Sequence, residues 1–316
     1  MTPLHLPGAP LPPRSAVVTV GTFDGVHRGH RAVLDALLDT ARRRGRQSVV
    51  VTFDPHPLYV VRPQTAPRLL TTTAELLELL HASAVNLVAI VPFNAELAAF
   101  PPRRFVEQVL LAHFGLEHLV IGYDHGFGKD RSGDVTTLQE IGRELDFGVT
   151  VVPHTDLDDQ PISSTRIRRL LQGGEVRQAA AALGRAYSLC GTVVRGDGRG
   201  RALGFPTANL HIAEPEKLLP ADGIYAVRAT IQGESAPRDA VLHLGERPTF
   251  ESAAASVEVF ILDFEGDLYG KTIRVEFCTR VRDVERFDSL EALVEAMDGD
   301  VSDARRALAS SRAGCA

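Results

Sequence analysis

The spacing of apolar residues changes character once along the chain. In the first half, short continuous apolar runs alternate with stretches whose apolar residues recur every three or four positions. The runs are "AVVTV" (16–20), "SVVVTF" (48–53), "LVAIVPF" (87–93), "HLVIGY" (118–123) and "VTVVPH" (149–154). A parallel strand covered on both faces has this pattern. Between the runs, Leu34, Leu37, Leu38 and Ala41 with Gly45 as a stop, "TAELLELLHAS" (73–83), 103–113 and 135–145 predict helices. Strand and helix alternating over short connections give a parallel sheet with helices on both faces. "SSTRIRRLLQGGEVRQAAAALG" then predicts two short helices broken at Gly173 and Gly174.

From about Tyr187 the period becomes 2. In "GIYAVRATIQ", Tyr225, Val227, Ala229 and Ile231 alternate with polar residues, and Ile273, Val275, Phe277 and Val281 do so in "TIRVEFCTRVR". Such strands with turn residues between them predict an antiparallel sheet or small barrel. A last helix carries Leu290, Leu293, Val294, Met297, Val301, Ala304 and Leu308 as one stripe, read as core packing. The boundary is placed at 184/185, giving domains 1–184 and 185–316.

Composition narrows the setting. The length of 316 residues suits two domains, and the formal net charge of −6 argues against a general nucleic-acid binder. "RRRGR" (42–46) suits the dipole at the end of a helix. No apolar stretch approaches the roughly 20 residues needed to cross a bilayer, so no membrane partner is expected. The opening "MTPLHLPGAPLPPR" does not read as a secretory signal. Cys190, Cys278 and Cys315 lie far apart without metal spacing, which points to a reducing, cytoplasmic setting.

Candidate chemistry concentrates at strand ends. "GTFDGVHRGH" (21–30) sits between the first strand and first helix, where free N–H groups and the positive dipole end suit phosphate. Gly21 and Gly25 allow close backbone approach, Gly29 leaves room beside His30, and His27 and His30 face one anion. No Gly-Lys-Ser/Thr follows, which excludes a Walker-type loop. At "ISSTRIR", Ser163, Ser164 and Thr165 are N-cap residues, and Arg168 in the first turn opposes the dipole, which an anionic partner would relieve. "TFDPHP" (52–57) and "GYDHGFGKDRSGD" (122–134) follow strands at the same sheet edge if the strands are parallel. In "GTVVRGDGRGRALGFPTANL" (191–210), Gly196, Gly198, Gly200 and Gly204 make a loop whose N–H groups can wrap phosphates. Thr207 and Asn209, two apart on one strand face, offer neutral oxygens suited to Mg²⁺ held chiefly by phosphates.

Taken together, "GTFDGVHRGH", "TFDPHP", "GYDHGFGKDRSGD" and "ISSTRIR" resemble the adenylyltransferase module of prokaryotic bifunctional riboflavin kinase/FAD synthetases. "GFPTAN", "LPADGIYAV", "GERPTF", "VEVFILDFEGDLYGK" and "RFDSLEAL" resemble the riboflavin kinase module in order. The resemblance implies a Rossmann-like α/β nucleotidyltransferase domain of the His-x-Gly-His type, then an antiparallel β-barrel kinase domain with a C-terminal helix. It implies phosphorylation of riboflavin to FMN and adenylylation of FMN to FAD, with ATP as co-substrate, Mg²⁺ as cofactor, and a monomer or transient oligomer.

Carried over residue by residue, Gly21, Phe23, Asp24, Gly25, His27 and His30 bind ATP, and Ser164, Thr165 and Arg168 hold the triphosphate from the opposite side. Asp124 lies at the flavin phosphate. In the kinase half, Gly196, Gly198, Gly200, Arg201, Gly204 and Pro206 bind nucleotide, Thr207 and Asn209 hold Mg²⁺-nucleotide, and Glu258 is the base. A base suits a neutral ribityl hydroxyl, whereas FMN attacks with a phosphate that is already anionic. His125 stands where the family has an aromatic residue, and His243-Leu244 where it has Asn-Ile. Two rivals remain at this point: a nucleotidyltransferase acting on another phosphorylated acceptor, and a flavin-binding sensor without turnover.

Overall fold

The computed structural model describes residues 12–129, 132–196, 200, 203–246 and 255–313. The chain divides into two compact units that meet between Ser164 and Thr165.

The first unit is built on a parallel sheet of β1 (Ala16–Val20), β2 (Gln47–Asp54), β3 (Leu87–Pro92), β4 (Leu116–Gly122) and β5 (Gly148–Val152), in the order β3-β2-β1-β4-β5. Its strands are mainly apolar on both sides because both faces are covered. Val17, Val50 and Val120 pack with Leu34 and Leu37 of α1 (Arg28–Arg44) and Leu76 and Leu80 of α3 (Thr73–His81). Ala16, Val18, Val49, Val51 and Leu119 face the other way, toward Val106, Leu110 and Leu138. Chain direction is punctuated locally. Gly45 ends α1 in the left-handed conformation at φ 61°, after the three arginines Arg42 to Arg44, and α3 opens with a reciprocal capping box of Thr72 and Glu75.

Smaller pieces complete this unit: α2 (Pro57–Val61), α4 (Ala95–Ala98), α5 (Pro102–Phe105), α6 (Val135–Leu145) and the hairpin β6 (Asp156–Leu157)/β7 (Gln160–Pro161). Two of them differ from the expectation. The helix expected over 103–113 is α-helical only as α5 and continues as a π-helical turn, Val106–Leu111. The buried residues Phe105, Val109, Leu110 and Phe114 are spaced by four to five, wider than the α repeat, so the wider turn keeps them on the sheet. The hairpin, with Asp158 and Asp159 both at positive φ, lies in a stretch for which the sequence pattern predicts no element.

The second unit begins with the body of α7 (Ser164–Gln172), followed by α8 (Val176–Leu183), and closes a barrel from β8 (Tyr187–Val194), β9 (Ala208–His211), β10 (Gly223–Ile231), β11 (Arg238–Glu246), β12 (Ala255–Ile261) and β13 (Thr272–Arg282). The strand order is β10-β11-β12-β9-β8-β13, with β13 returning to β10, all antiparallel. Val227, Leu242, Val259, Val275 and Phe277 are fully buried. α8 packs on β13 and β8, and the Ala221 N–H donates to the Leu171 carbonyl at the end of α7.

Strict alternation in β10 fails where the last helix, α9 (Leu290–Ala313), covers the outer face: Ala226 is buried there against Ala304 and Leu308. The expected apolar stripe of α9 is therefore core only toward its C-terminal half. Leu290 is 57% exposed, and the helix is tied down by Arg282, whose guanidinium donates to both oxygens of Asp300 at 2.7 and 2.8 Å, and by its own Arg305, which donates to both oxygens of Asp263.

Candidate functional site

All five parallel strands end at one edge, so the loops after Val20, Asp54, Pro92, Gly122 and Val152 emerge together. After β1 the chain builds β2 and β3 on one side, then crosses to build β4 and β5 on the other. The strand order therefore reverses beside β1, which in open α/β sheets is where ligands bind. The loop Gly21–His27 stands at that point.

This loop is held from three directions. Phe23, at φ 49°, turns its ring into the core, where a Cβ on Gly21 would come within 3.2 Å of it. Asp24 is buried, and its carboxylate accepts the N–H groups of Leu70 (2.9 Å) and Thr71 (3.0 Å) and the Thr71 hydroxyl (3.2 Å). Gly25, at φ 86°, donates its N–H to the same hydroxyl at 3.0 Å. Ser164 Oγ donates to the Asp24 carbonyl at 2.9 Å. Leu70 and Thr71 were not singled out by sequence, because a clamp made mostly of backbone N–H groups leaves little side-chain signature.

His27 is the N-cap of α1: its Nδ1 accepts the His30 N–H at 3.2 Å. A ring nitrogen that accepts carries no proton, so the neutral His27 ring carries its N–H on Nε2. The two rings stack with centroids 3.6 Å apart at 16°, with Phe23 5.2 Å from His30. The space left by Gly29 is beside His27 rather than His30, since a Cβ there would lie 3.2 Å from the His27 ring. With no acidic residue in the first turn of α1, an imidazole pair and a positive helix end converge on one spot.

Around the same edge, Asp124 Oδ1 lies 3.6 Å from where a Cβ on Gly122 would sit. His125 meets the edge of Phe127 at 5.5 Å, and Phe127 continues into Phe105 and Phe53. Tyr123 is 44% exposed and meets His154 edge-on at 5.2 Å. Its hydroxyl is pushed above the ordinary phenol value by burial, with Asp124 and Asp156 adding to the shift. Thr165, at the surface, and Arg168, half-buried, lie at the start of α7.

In the barrel, β12 places Glu258 directly opposite Asn209 of β9 and His243 of β11. Glu258 lies between Val257 and Val259, which fill the interior, so its carboxylate faces outward. Thr207 Oγ1 donates to Glu258 Oε2 at 3.3 Å, and Ser256 Oγ to Oε1 at 2.9 Å. Ser256 was missed by sequence reasoning, although its place two residues before Glu258 puts both side chains on one face. Glycines bring the backbone close: a Cβ on Gly196 would sit 2.2 Å from the Asn209 amide nitrogen, and one on Gly200 2.3 Å from the Phe205 carbonyl. Gly204 takes φ 86° in the turn that follows, ahead of the exposed Pro206. Gly198 and Arg201 lie outside the described residues. The carboxylate is thus held by two hydroxyls at the rim of a Gly-shaped loop, an arrangement suited to taking a proton beside bound phosphates.

Two family models match the chain in sequence, FAD synthetase over residues 10–166 and riboflavin kinase over residues 183–308. The bifunctional riboflavin kinase/FMN adenylyltransferase of Pseudomonas fluorescens is 38% identical over 298 residues, 94% of either chain. The Escherichia coli K12 protein of that name is 37% identical over 282 residues, 89% of either chain, and the Bacillus subtilis one 33% over 297 residues, 92% of either chain. A solved structure described as a macrolide-efflux protein from Streptococcus pneumoniae gives a TM-score of 0.85 at 32% identity, covering 94% of this chain and 95% of that one. Among the described residues no helix is long and apolar enough to cross a membrane. The chain belongs to the bifunctional riboflavin kinase/FMN adenylyltransferase family, which phosphorylates riboflavin with ATP and adenylylates the resulting FMN to FAD.

Proposed function

We propose that the two reactions are divided between two separate sets of residues, adenylylation at the switch-point loop and phosphorylation at the barrel carboxylate. By activity, residues 1–184 form the adenylyltransferase and 185–316 the kinase. This boundary assigns α7 and α8 to the first, although from Thr165 onward they fall in the second compact unit, where α8 packs on β13 and β8.

The observation that carries the first assignment is the stacked His27/His30 pair at the start of α1. In adenylyl transfer the FMN phosphate attacks the α-phosphorus of ATP and pyrophosphate leaves. No strong base is needed, only alignment and neutralisation of the charge gathering on the leaving group. His27 and His30 donate to it, the first N–H groups of α1 add their dipole, and Ser164, Thr165 and Arg168 hold the triphosphate from the other side. Gly21, Phe23, Asp24 and Gly25 shape the ATP side. Asp24 acts there through the backbone it clamps, since its carboxylate oxygens hold Leu70 and Thr71. Asp124 stands at the flavin phosphate.

In the kinase half, Glu258 takes the proton of the ribityl hydroxyl as that oxygen attacks the γ-phosphorus. Its two hydroxyl donors keep both carboxylate oxygens in place. Gly196, Gly198, Gly200, Arg201, Gly204 and Pro206 form the nucleotide loop. Thr207 and Asn209 suit Mg²⁺: a hydroxyl and an amide oxygen are hard neutral donors, and the close approach of Gly196 to Asn209 keeps this pair beside the loop. When bound, Mg²⁺ neutralises the phosphate charge. The cysteine pattern supports a cytoplasmic setting, and the family resemblance a monomer or transient oligomer.

Purified protein supplied with riboflavin, ATP and Mg²⁺ tests the division by chromatography of the flavins. His30→Ala should still form FMN but not FAD, and Glu258→Gln should form FAD only from supplied FMN. Loss of both products in folded His30→Ala would refute it.

A further inference from the structure

Glu258 has a neighbour that the kinase reading leaves unused. In the barrel ladder, Asn209, Glu258 and His243 are directly opposite one another on three successive strands, β9, β12 and β11. Directly opposite residues share a face. Each of the three lies between two buried residues: Ala208 and Leu210, Val257 and Val259, Leu242 and Leu244. All three therefore project outward as one row of amide, carboxylate and imidazole. At about 4.8 Å between strands, the row spans about 10 Å from Asn209 to His243.

The two ends of this row are not equivalent. Asn209 adjoins the glycine loop, with Gly196 pressed against its amide, and Thr207 beside it bonds the carboxylate. That end is the nucleotide end. In-line transfer needs attacking and leaving oxygens on opposite sides of the phosphorus. An acceptor hydroxyl delivering its proton to Glu258 therefore approaches from the far end, where His243 stands.

The His243 ring is held in a definite place. A Cβ on Gly245 would lie 2.9 Å from its Nε2 and 3.1 Å from Cε1, so the ring leans along the strand over Gly245. Gly245 is opposite Ser256, whose hydroxyl bonds Glu258. The half-buried imidazole thus lies on the same patch as the carboxylate and its hydroxyl donor.

We infer that His243 binds the acceptor in the kinase reaction, hydrogen-bonding a ribityl hydroxyl next to the one that is phosphorylated and so setting the chain for attack beside Glu258. This rests on Glu258 being the base and Thr207 and Asn209 marking the nucleotide end.

The test is steady-state kinase kinetics of the full-length protein, varying riboflavin and ATP separately, for wild type, His243→Ala, His243→Gln and Gly245→Ala. His243→Ala should raise KM for riboflavin roughly tenfold, as loss of one hydrogen bond of about 1.4 kcal/mol would. KM for ATP and the adenylylation of supplied FMN should stay within twofold. Gln keeps a donor and should recover part of the loss. Gly245→Ala leaves the imidazole present but displaces it, and should resemble His243→Ala. A riboflavin analogue lacking the hydroxyl next to the reacting one should be disfavoured by wild type and not further disfavoured by His243→Ala.

An unchanged riboflavin KM in His243→Ala, or an equal rise in the ATP KM, overturns the inference. Glu258→Gln measured in parallel separates the two readings. If it retains kinase activity, the base assignment and with it this inference fail. If it is inactive while His243→Ala is unaffected, only the inference fails.

Discussion

His27 and His30 are bound to each other twice over: the Nδ1 of the first accepts the backbone N–H of the second at 3.2 Å, and their rings stack at 3.6 Å. One side chain therefore caps a helix through Nδ1 while its ring N–H stays on Nε2. Fold and chemistry are coupled at this residue, and substitutions can separate them.

His27→Asn keeps a side-chain acceptor at the N-cap, so its stability should stay close to wild type, whereas His27→Ala should lose about 1 kcal/mol. Both should lose FAD formation by about a hundredfold or more, the scale for removing one donor to a developing anion. Urea unfolding midpoints and FAD yield from supplied FMN, measured side by side, check this. Full FAD formation by the Asn variant would show that the imidazole is only a cap.

The amide of Asn209 depends on the absence of a side chain at Gly196. Gly196→Ala places a carbon 2.2 Å from the amide nitrogen, so the strand end or the amide must move. FMN formation should fall at least tenfold while FAD formation from FMN is unchanged. Equal loss of both activities would instead indicate general misfolding.

Much of this was legible in the chain, and the failures have physical causes. Continuous apolar runs identified β1 to β5 because both faces of the sheet are covered, and period 2 identified the barrel because its interior is filled by alternate residues. The shift to a π turn at Val106 was hidden because helix type depends on what the apolar face must reach. Leu290 reads as core by its spacing, yet it is the later part of α9 that finds the barrel surface. At the first site the His-x-Gly-His element was visible, whereas the role of Asp24 as a clamp on Leu70 and Thr71 was not. Those partners are backbone N–H groups 46 and 47 residues away. Likewise the row through Asn209, Glu258 and His243 exists only once strand register is known.

Two ion pairs tie α9 to the barrel, the exposed Arg305–Asp263 and the more buried Arg282–Asp300. Asp300 is 6% exposed and receives two hydrogen bonds from Arg282 of β13. Asp300→Ala strips a partly buried guanidinium of both carboxylate acceptors, leaving it the Asp283 carbonyl, and should cost about 2–3 kcal/mol. Calorimetry should show the loss, and limited proteolysis should cut in α9 first. An unchanged melting profile would mean that Ala304, Leu308 and the Arg305–Asp263 pair hold the helix without it.

At the opposite edge of the parallel sheet, His118 supplies a pH dependence unrelated to catalysis. Its ring is buried, with Nε2 2.8 Å from Thr150 Oγ1, and Nδ1 meets no hydrogen-bond partner among the described residues. Burial, and then the positive charge of Arg44, push this histidine below its ordinary value of 6.5. Glu117 opposes the shift, and Arg43 adds slightly to it. Well above pH 6.5 neither folded nor unfolded chain binds a proton here, and the residue contributes no pH dependence. As pH falls below that point the unfolded chain takes up a proton that the folded chain refuses, so stability declines until the folded value is passed. His118→Gln retains a hydrogen-bonding group for Thr150 and cannot titrate. The difference in urea midpoint between wild type and His118→Gln should be constant above pH 7 and should shift against the wild type between pH 6.5 and 5. A difference that stays constant across that interval would mean that the folded protein accommodates a protonated His118, with the ring turned to find a partner for Nδ1.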